Sequence, residues 1–146
     1  MRYRFICIFL VTLVYGGSSL FSQTVSKKIE DSSQQSAAGE LTLDHTAMCE
    51  GIKDYIPLNP AIVFSISTGK VSCFTSFDPV PEKMFIHHRW FRREKLATQK
   101  KLVLKPPSWS TFSSIQLRAG DKGPWRLEIT GPEDNVLHVL RFSITD

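Results

Sequence analysis

Apolar and polar side chains alternate with a period of two along most of the chain beyond residue 45. The pattern is cleanest at the C-terminus. Gly123 to Thr130 alternates, Gly131-Pro132-Glu133-Asp134-Asn135 interrupts, and Val136 to Ile144 alternates again. Two such runs around a Gly/Pro/Asp/Asn loop predict a β-hairpin with one face in a core and one in water. The same grammar predicts strands over Ala47–Ile56, Ile62–Ile66, Lys70–Phe77, Met84–Arg92, Lys95–Leu104 and Trp109–Leu117. Pro57, Pro60, Asp78-Pro79, Pro106-Pro107 and the Gly-rich stretch Ala119–Gly123 punctuate them. Helical periodicity is almost absent. The expected fold is an all-β, immunoglobulin-like antiparallel β-sandwich of about seven strands, with a small open β-barrel as the alternative.

The N-terminal third follows different rules. Arg2 and Arg4 precede an 11-residue apolar and weakly polar run, Phe5–Tyr15, and small residues follow at Gly16, Gly17, Ser18, Ser19 and Ser22. That order predicts a secretory signal peptide over residues 1–22, because a bilayer span needs roughly 20 apolar residues. An uncleaved signal-anchor is the alternative. Residues 23–44 are rich in Ser, Gln, Lys and acids and lack aromatics, which predicts a flexible linker. Residues 45–146 then form the β-sandwich domain. The chain carries a formal charge of +4, too mild for a nucleic-acid footprint. Export leaves Cys49 and Cys73, and an even pair in an oxidising compartment predicts a disulfide, with a pair of buried free thiols as the alternative.

A set of short elements carries a resemblance. They are Cys49, Asp54, Pro57-Leu58, Phe64, Val71 and Phe74-Thr75, then His88-x-Trp90, Trp109-x-Thr111-x-Ser113-Ser114, Gly123-x-Trp125-Arg126-Leu127, Val136-Leu137 and Phe142. In this order, over about residues 47–144, the chain resembles the bacterial domain-of-unknown-function family 2914. The resemblance implies an exported β module, often attached to a membrane segment or another domain. It implies no activity and no catalytic residues. The chain departs from the family at Lys53-Asp54-Tyr55-Ile56, where the family tends to place an acidic–basic pair before the proline.

Few residues stand in a pattern that chemistry needs. His87 and His88 are adjacent, so on a strand they face opposite ways and cannot share a metal. His88 is expected in the core or seam, bonded to a neighbouring strand or to Ser113. Ser108, Ser110, Ser113 and Ser114 lie in no nucleophile motif. Trp90, Trp125 and the adjoining Arg126 are expected as structural residues, whereas Trp109, after Pro106-Pro107-Ser108, starts a strand and could offer an aromatic platform to a sugar ring or peptide. Arg89, Arg92, Arg93, Lys95, Lys100, Lys101 and Lys105 fall within 17 residues. Along a hairpin they would either guard a sheet edge or form a dock for anionic lipid or acidic glycan.

The sequence therefore predicts a noncatalytic interaction or scaffolding module of the bacterial cell envelope, periplasmic or envelope-associated, with no cofactor and no metal. Its expected partner is an envelope protein or glycan, with peripheral contact to an anionic membrane surface as a further route. A ligand-binding module using Trp109 and the basic hairpin is the alternative, and an unrecognised hydrolase comes last. N-terminal sequencing of the protein from its native envelope should begin near Leu20, Gln23 or Thr24. Recovery of intact Met1 in a membrane-embedded form would contradict the cleaved leader.

Overall fold

The structure is a computed structural model that describes residues 39–146. The expected leader and most of the expected linker lie outside the described residues. Nine strands are present: β1 (Leu43–Lys53), β2 (Ile56–Pro60), β3 (Val63–Ser65), β4 (Lys70–Phe77), β5 (Met84–Arg92), β6 (Lys95–Leu104), β7 (Trp109–Gln116), β8 (Gly123–Thr130) and β9 (Val136–Thr145). They form two separate sheets, in the orders β2-β1-β4-β7 and β3-β9-β8-β5-β6. The sheets pack as a sandwich and do not close into a barrel. The orders β1-β4-β7 and β9-β8-β5-β6 correspond to A-B-E and G-F-C-C′ of an immunoglobulin-like domain. Among the described residues no helix is long and apolar enough to cross a membrane.

Nine strands appear in place of about seven because the first segment is used more fully than its prolines suggest. β1 starts at Leu43, and Leu41 and Leu43 pack against the core. The chain therefore enters the fold just before the expected domain boundary. Asp54 and Tyr55 both take left-handed φ angles, 50° and 58°, as a two-residue hairpin turn requires. β2 then folds back on β1. Its Pro57 and Pro60 are tolerated because β2 is an edge strand, where a missing N–H goes unanswered at no cost.

β3 is the second departure, since it pairs parallel with β9 in an otherwise antiparallel structure. The chain changes sheets between β2 and β3. Ala61 N–H donates to Met48 C=O of one sheet at 3.1 Å, and Ile62 C=O accepts from Ser143 N–H of the other at 2.9 Å. One dipeptide thus stitches both sheets at that edge.

The inward faces make a continuous core. Val71, Cys73 and Phe77 of β4 face Ile86 and Trp90 of β5, Leu127 and Ile129 of β8, and Phe142 and Ile144 of β9. Phe142 is the aromatic hub: Trp125 stacks on it at 6.0 Å, while Trp90 and Phe64 meet it edge-on at 6.0 and 6.1 Å. The Trp125 indole N–H donates to Asp121 C=O at 2.7 Å, so burying the ring leaves no polar atom dry.

Within this apolar core runs one polar chain. The fully buried Trp90 donates its indole N–H to Ser113 Oγ at 3.1 Å. Ser113 Oγ lies 2.8 Å from His88 Nδ1, and His88 Nε2 lies 3.4 Å from Thr75 Oγ1. Thr75 in turn donates to Thr111 C=O at 3.4 Å. The single hydroxyl proton of Thr75 is then committed, so His88 must be the donor at Nε2 and the acceptor at Nδ1. Every proton along Trp90, Ser113, His88 and Thr75 has an acceptor. Trp90 and His88 belong to β5, and the hydroxyls to β4 and β7, so the chain bridges the two sheets.

Removing the shared hydroxyl would leave the Trp90 donor and the His88 acceptor buried without partners. Ser113→Ala should therefore lower unfolding stability by about 3 kcal/mol. Ser114→Ala, which loses only an outer-face contact to Ser72 Oγ at 2.8 Å, should cost about 1 kcal/mol. Urea unfolding of the two variants would measure the contrast, and equal losses would refute it.

Candidate functional site

A cleft of about 530 Å³ opens at one end of the sandwich. Asp44, Tyr55, Ser76, Phe77, Asp78, Ser108, Trp109 and Ser110 line it. Trp109 opens β7 opposite Phe77, the last residue of β4, and is half-buried against the core. Ser76 Oγ donates to Asp44 Oδ2 at 3.1 Å. Three backbone bonds hold the walls together: Asp78 N–H to Thr42 C=O at 3.0 Å, Thr42 N–H to Pro79 C=O at 3.3 Å, and Val80 N–H to Pro107 C=O at 2.7 Å. The Asp78-Pro79 and Pro106-Pro107 peptides beside the cleft are both cis. The three backbone bonds tie the segments that form the cleft to one another, as in most ligand sites.

Tyr55 reaches the cleft from the tip of the β1–β2 hairpin. Its ring meets Phe112 of β7 edge-on at 6.2 Å. Phe112 pairs with Phe74 on the outer face of its sheet, so the hairpin tip lies over that face. This placement accounts for the burial of Cys49, Ser72 and Phe74, which all point outward. Sequence reasoning singled out Trp109 but missed Asp44, Tyr55 and Asp78. The missing signal was the turn: Asp54-Tyr55 is not an Asn-Gly or Asp-Gly pair, so the segment reads as one strand ending at a proline.

Cys49 and Cys73 are both free and buried, which corrects the expected disulfide. In the β1–β4 ladder Cys73 pairs with Met48, and Cys49 pairs with Ser72. A one-residue offset places the two thiols on opposite faces of the sheet. Cys49 Sγ donates to Ser72 C=O at 3.5 Å, and burial raises its pKa. Burial pushes Cys73 up to about 12, opposed by its contact with Thr46. Both thiols are therefore poor nucleophiles.

The basic residues of β5 and β6 do not gather on one face. Arg89 pairs with Asp134 at 2.6 Å and donates to Gln99 at 2.9 Å. Arg92 lies 3.7 Å from Asp121, and Arg93 folds over Gly123. Lys101 Nζ sits 3.8 Å above the Phe85 ring, whereas Lys100 pairs with His88 and so points to the other side of β6. Arg126 lies 4.4 Å over the Phe91 ring and pairs with Glu94 and Glu128. Arg92, Arg93 and Lys95 border a shallow depression of about 320 Å³ that does not include Trp109. The two halves of the expected ligand site are thus separate features. Among the basic residues near β6, Lys105 alone approaches Trp109, its Nζ 5.2 Å from the ring centroid.

Among the described residues one Ser–His contact exists, between Ser113 and His88, and it is the buried pair of the polar chain. Its second ring nitrogen faces Thr75 rather than a carboxylate, and both residues are closed to solvent. No group of three or more His, Cys, Asp or Glu able to hold a metal ion occurs among the described residues.

Comparisons with known proteins give one family match. Residues 83–144 match the family described as Protein of unknown function (DUF2914). The matched part begins after the first half of the motif series, so Cys49 to Thr75 falls outside it. No curated protein matches the chain. Among solved structures it is similar to a mutant β-glucosidase from Listeria innocua in complex with laminaribiose, at 8% identity and a TM-score of 0.44. That similarity covers 73% of this chain, which spans 16% of the length of the other.

Burial lowers the pKa of His88 from 6.5 to about 4. Below about pH 6.5 the unfolded chain takes up a proton that the folded ring refuses. The stability linked to His88 is therefore complete above that pH, and it is lost as the pH falls towards 4, by about 3 kcal/mol in all. NMR titration should show a neutral His88 with the proton on Nε2 down to about pH 5. An imidazolium at that pH in the folded protein would contradict the network.

Proposed function

We propose that this DUF2914-matched sandwich is a noncatalytic interaction module of a bacterial cell envelope, exported by its N-terminal leader and binding its partner at the Trp109 cleft. The observation that carries this reading is the division of polar groups between core and cleft. The His–Ser pair suited to proton transfer is sealed inside the sandwich with every proton assigned. The accessible cleft instead presents an indole, a phenol, hydroxyls and carboxylates. Such groups recognise a ligand by stacking and hydrogen bonding, and none of them is an activated nucleophile. Export rests on the Arg2/Arg4 start, the short apolar run and the small residues after it. The envelope assignment follows what the family resemblance implies.

A membrane-docking role for the basic hairpin has less support, since Arg89, Arg92 and Arg126 already hold acidic partners. Immobilised full-length protein should retain a component of envelope extract. Trp109→Ala should reduce that retention about tenfold, in line with loss of a buried aromatic contact. Arg92→Glu with Arg93→Glu should leave retention unchanged, at a stability cost of about 1 kcal/mol because a glutamate at position 92 faces Asp121. Retention lost in the double reversal and intact in Trp109→Ala would move the binding surface to the hairpin.

A further inference from the structure

We infer that the Trp109 cleft binds a neutral sugar segment of a glycan, an assignment that rests on reading the domain as a binding module. Four ligand classes can be set against the groups that line the cleft. Anions are disfavoured first: Asp44 and Asp78 border it, and among the described residues neither forms an ion pair. An acidic ligand would be repelled on a domain whose other surfaces carry the positive charge. Small cations meet the opposite difficulty. Lys105 Nζ already stands 5.2 Å from the Trp109 centroid, where an ammonium ligand would sit for a cation–π contact.

A purely apolar ligand would strip water from two carboxylates and three serine hydroxyls and return no hydrogen bonds, which is costly for each group left unpaired. A pyranose answers all of these groups together. Its C–H face is apolar and flat enough to lie on the exposed ring of Tyr55, since Lys105 covers the open face of Trp109. Its rim of hydroxyls can donate to Asp44 and Asp78 in charge-assisted bonds and accept from Ser108 and Ser110. The volume of about 530 Å³ falls within the roughly 300–1,000 Å³ of small-ligand sites. The cleft is open to the side, so it suits a stretch of a longer chain. The basic hairpin plays no part in it.

The test uses full-length protein titrated with cellotetraose and with chitotetraose, followed by tryptophan fluorescence and calorimetry. Spermidine and polygalacturonate serve as the cationic and anionic comparisons. At least one neutral tetrasaccharide should bind, with an affinity indifferent to added salt. Asp78→Asn and Tyr55→Ala, both at exposed positions, should each weaken binding about tenfold; Asp78→Asn should leave the unfolding midpoint unchanged, whereas Tyr55→Ala, which also loses the Phe112 contact, should lower it slightly. The inference is overturned if neither tetrasaccharide binds, if both variants bind as the parent does, or if spermidine or polygalacturonate binds in their place. Failure here, together with Trp109-dependent retention of an envelope component, would remove the sugar and keep the module. Failure of both would remove the module as well.

Discussion

Trp90, His88 and Ser113 meet at one hydroxyl group inside the sandwich, and the geometry of the domain follows from that meeting. An indole N–H and an imidazole nitrogen buried among Leu, Ile and Phe side chains each need a partner, and Ser113 serves both. The serine therefore has to face β5 at one height. Because β4 and β7 pair residue for residue from Lys70–Gln116 to Phe77–Trp109, fixing Ser113 fixes the whole sheet against its neighbour. Two steps along the same face from Ser113 lies Thr111, whose carbonyl ends the polar chain, and two steps further lies Trp109. On β4, Thr75 is followed at the same spacing by Phe77. The contact that locks the sheets thus also sets Trp109 beside Phe77 where the sandwich ends and the cleft opens.

Charge is arranged with the same separation of roles. The outer face of the β5–β8 sheet uses its cations on the protein itself, with Lys101 over Phe85, Arg126 over Phe91 and Arg89 against Asp134. Exposed pairs of this kind add little stability individually, about 0–1 kcal/mol. Their main effect is to cover aromatic rings on a face that would otherwise be sticky and to keep the cations from acting as one patch. Among the described residues Asp44 and Asp78 at the cleft have no such partners, so the cleft stands out as an acidic and aromatic feature on a basic domain.

Much of the sandwich was legible because half-buried strands announce themselves by alternation. β4 to β9 fall where Lys70–Phe77, Met84–Arg92 and the later runs predict them. The parity rule also places His88 and Trp90 on the core side of β5. What could not be read was whatever depended on one strand's relation to another. The Cys49–Cys73 expectation failed on an offset of a single residue in the ladder, which alternation within either strand does not contain. The grouping of Trp109 with the basic run failed similarly, because closeness in sequence does not say which end of the sandwich a strand terminus occupies. The β1–β2 turn escaped notice because left-handed φ at Asp54 and Tyr55 is held by the hairpin as a whole and not by favourable residue types.

The extent of the family match bears on what is shared and what is particular to this chain. Residues 83–144 comprise β5 to β8 and nearly all of β9, which supply Trp90, His88, Ser113 and the Phe142 hub. Of the cleft, that segment contains only Ser108, Trp109 and Ser110. The carboxylates of Asp44 and Asp78, the Ser76 hydroxyl and the Tyr55 ring all precede it, on β1, its hairpin and the end of β4. The sheet strands β5, β6, β8 and most of β9, together with β7 and its Trp109, therefore belong to the matched segment, while β1, β2 and β4 and most of the groups lining the cleft precede it. A match to that segment alone accordingly covers most of one sheet and a single strand of the other, and the binding chemistry proposed for the cleft has to be argued from residues 43–78 of each chain in its own right.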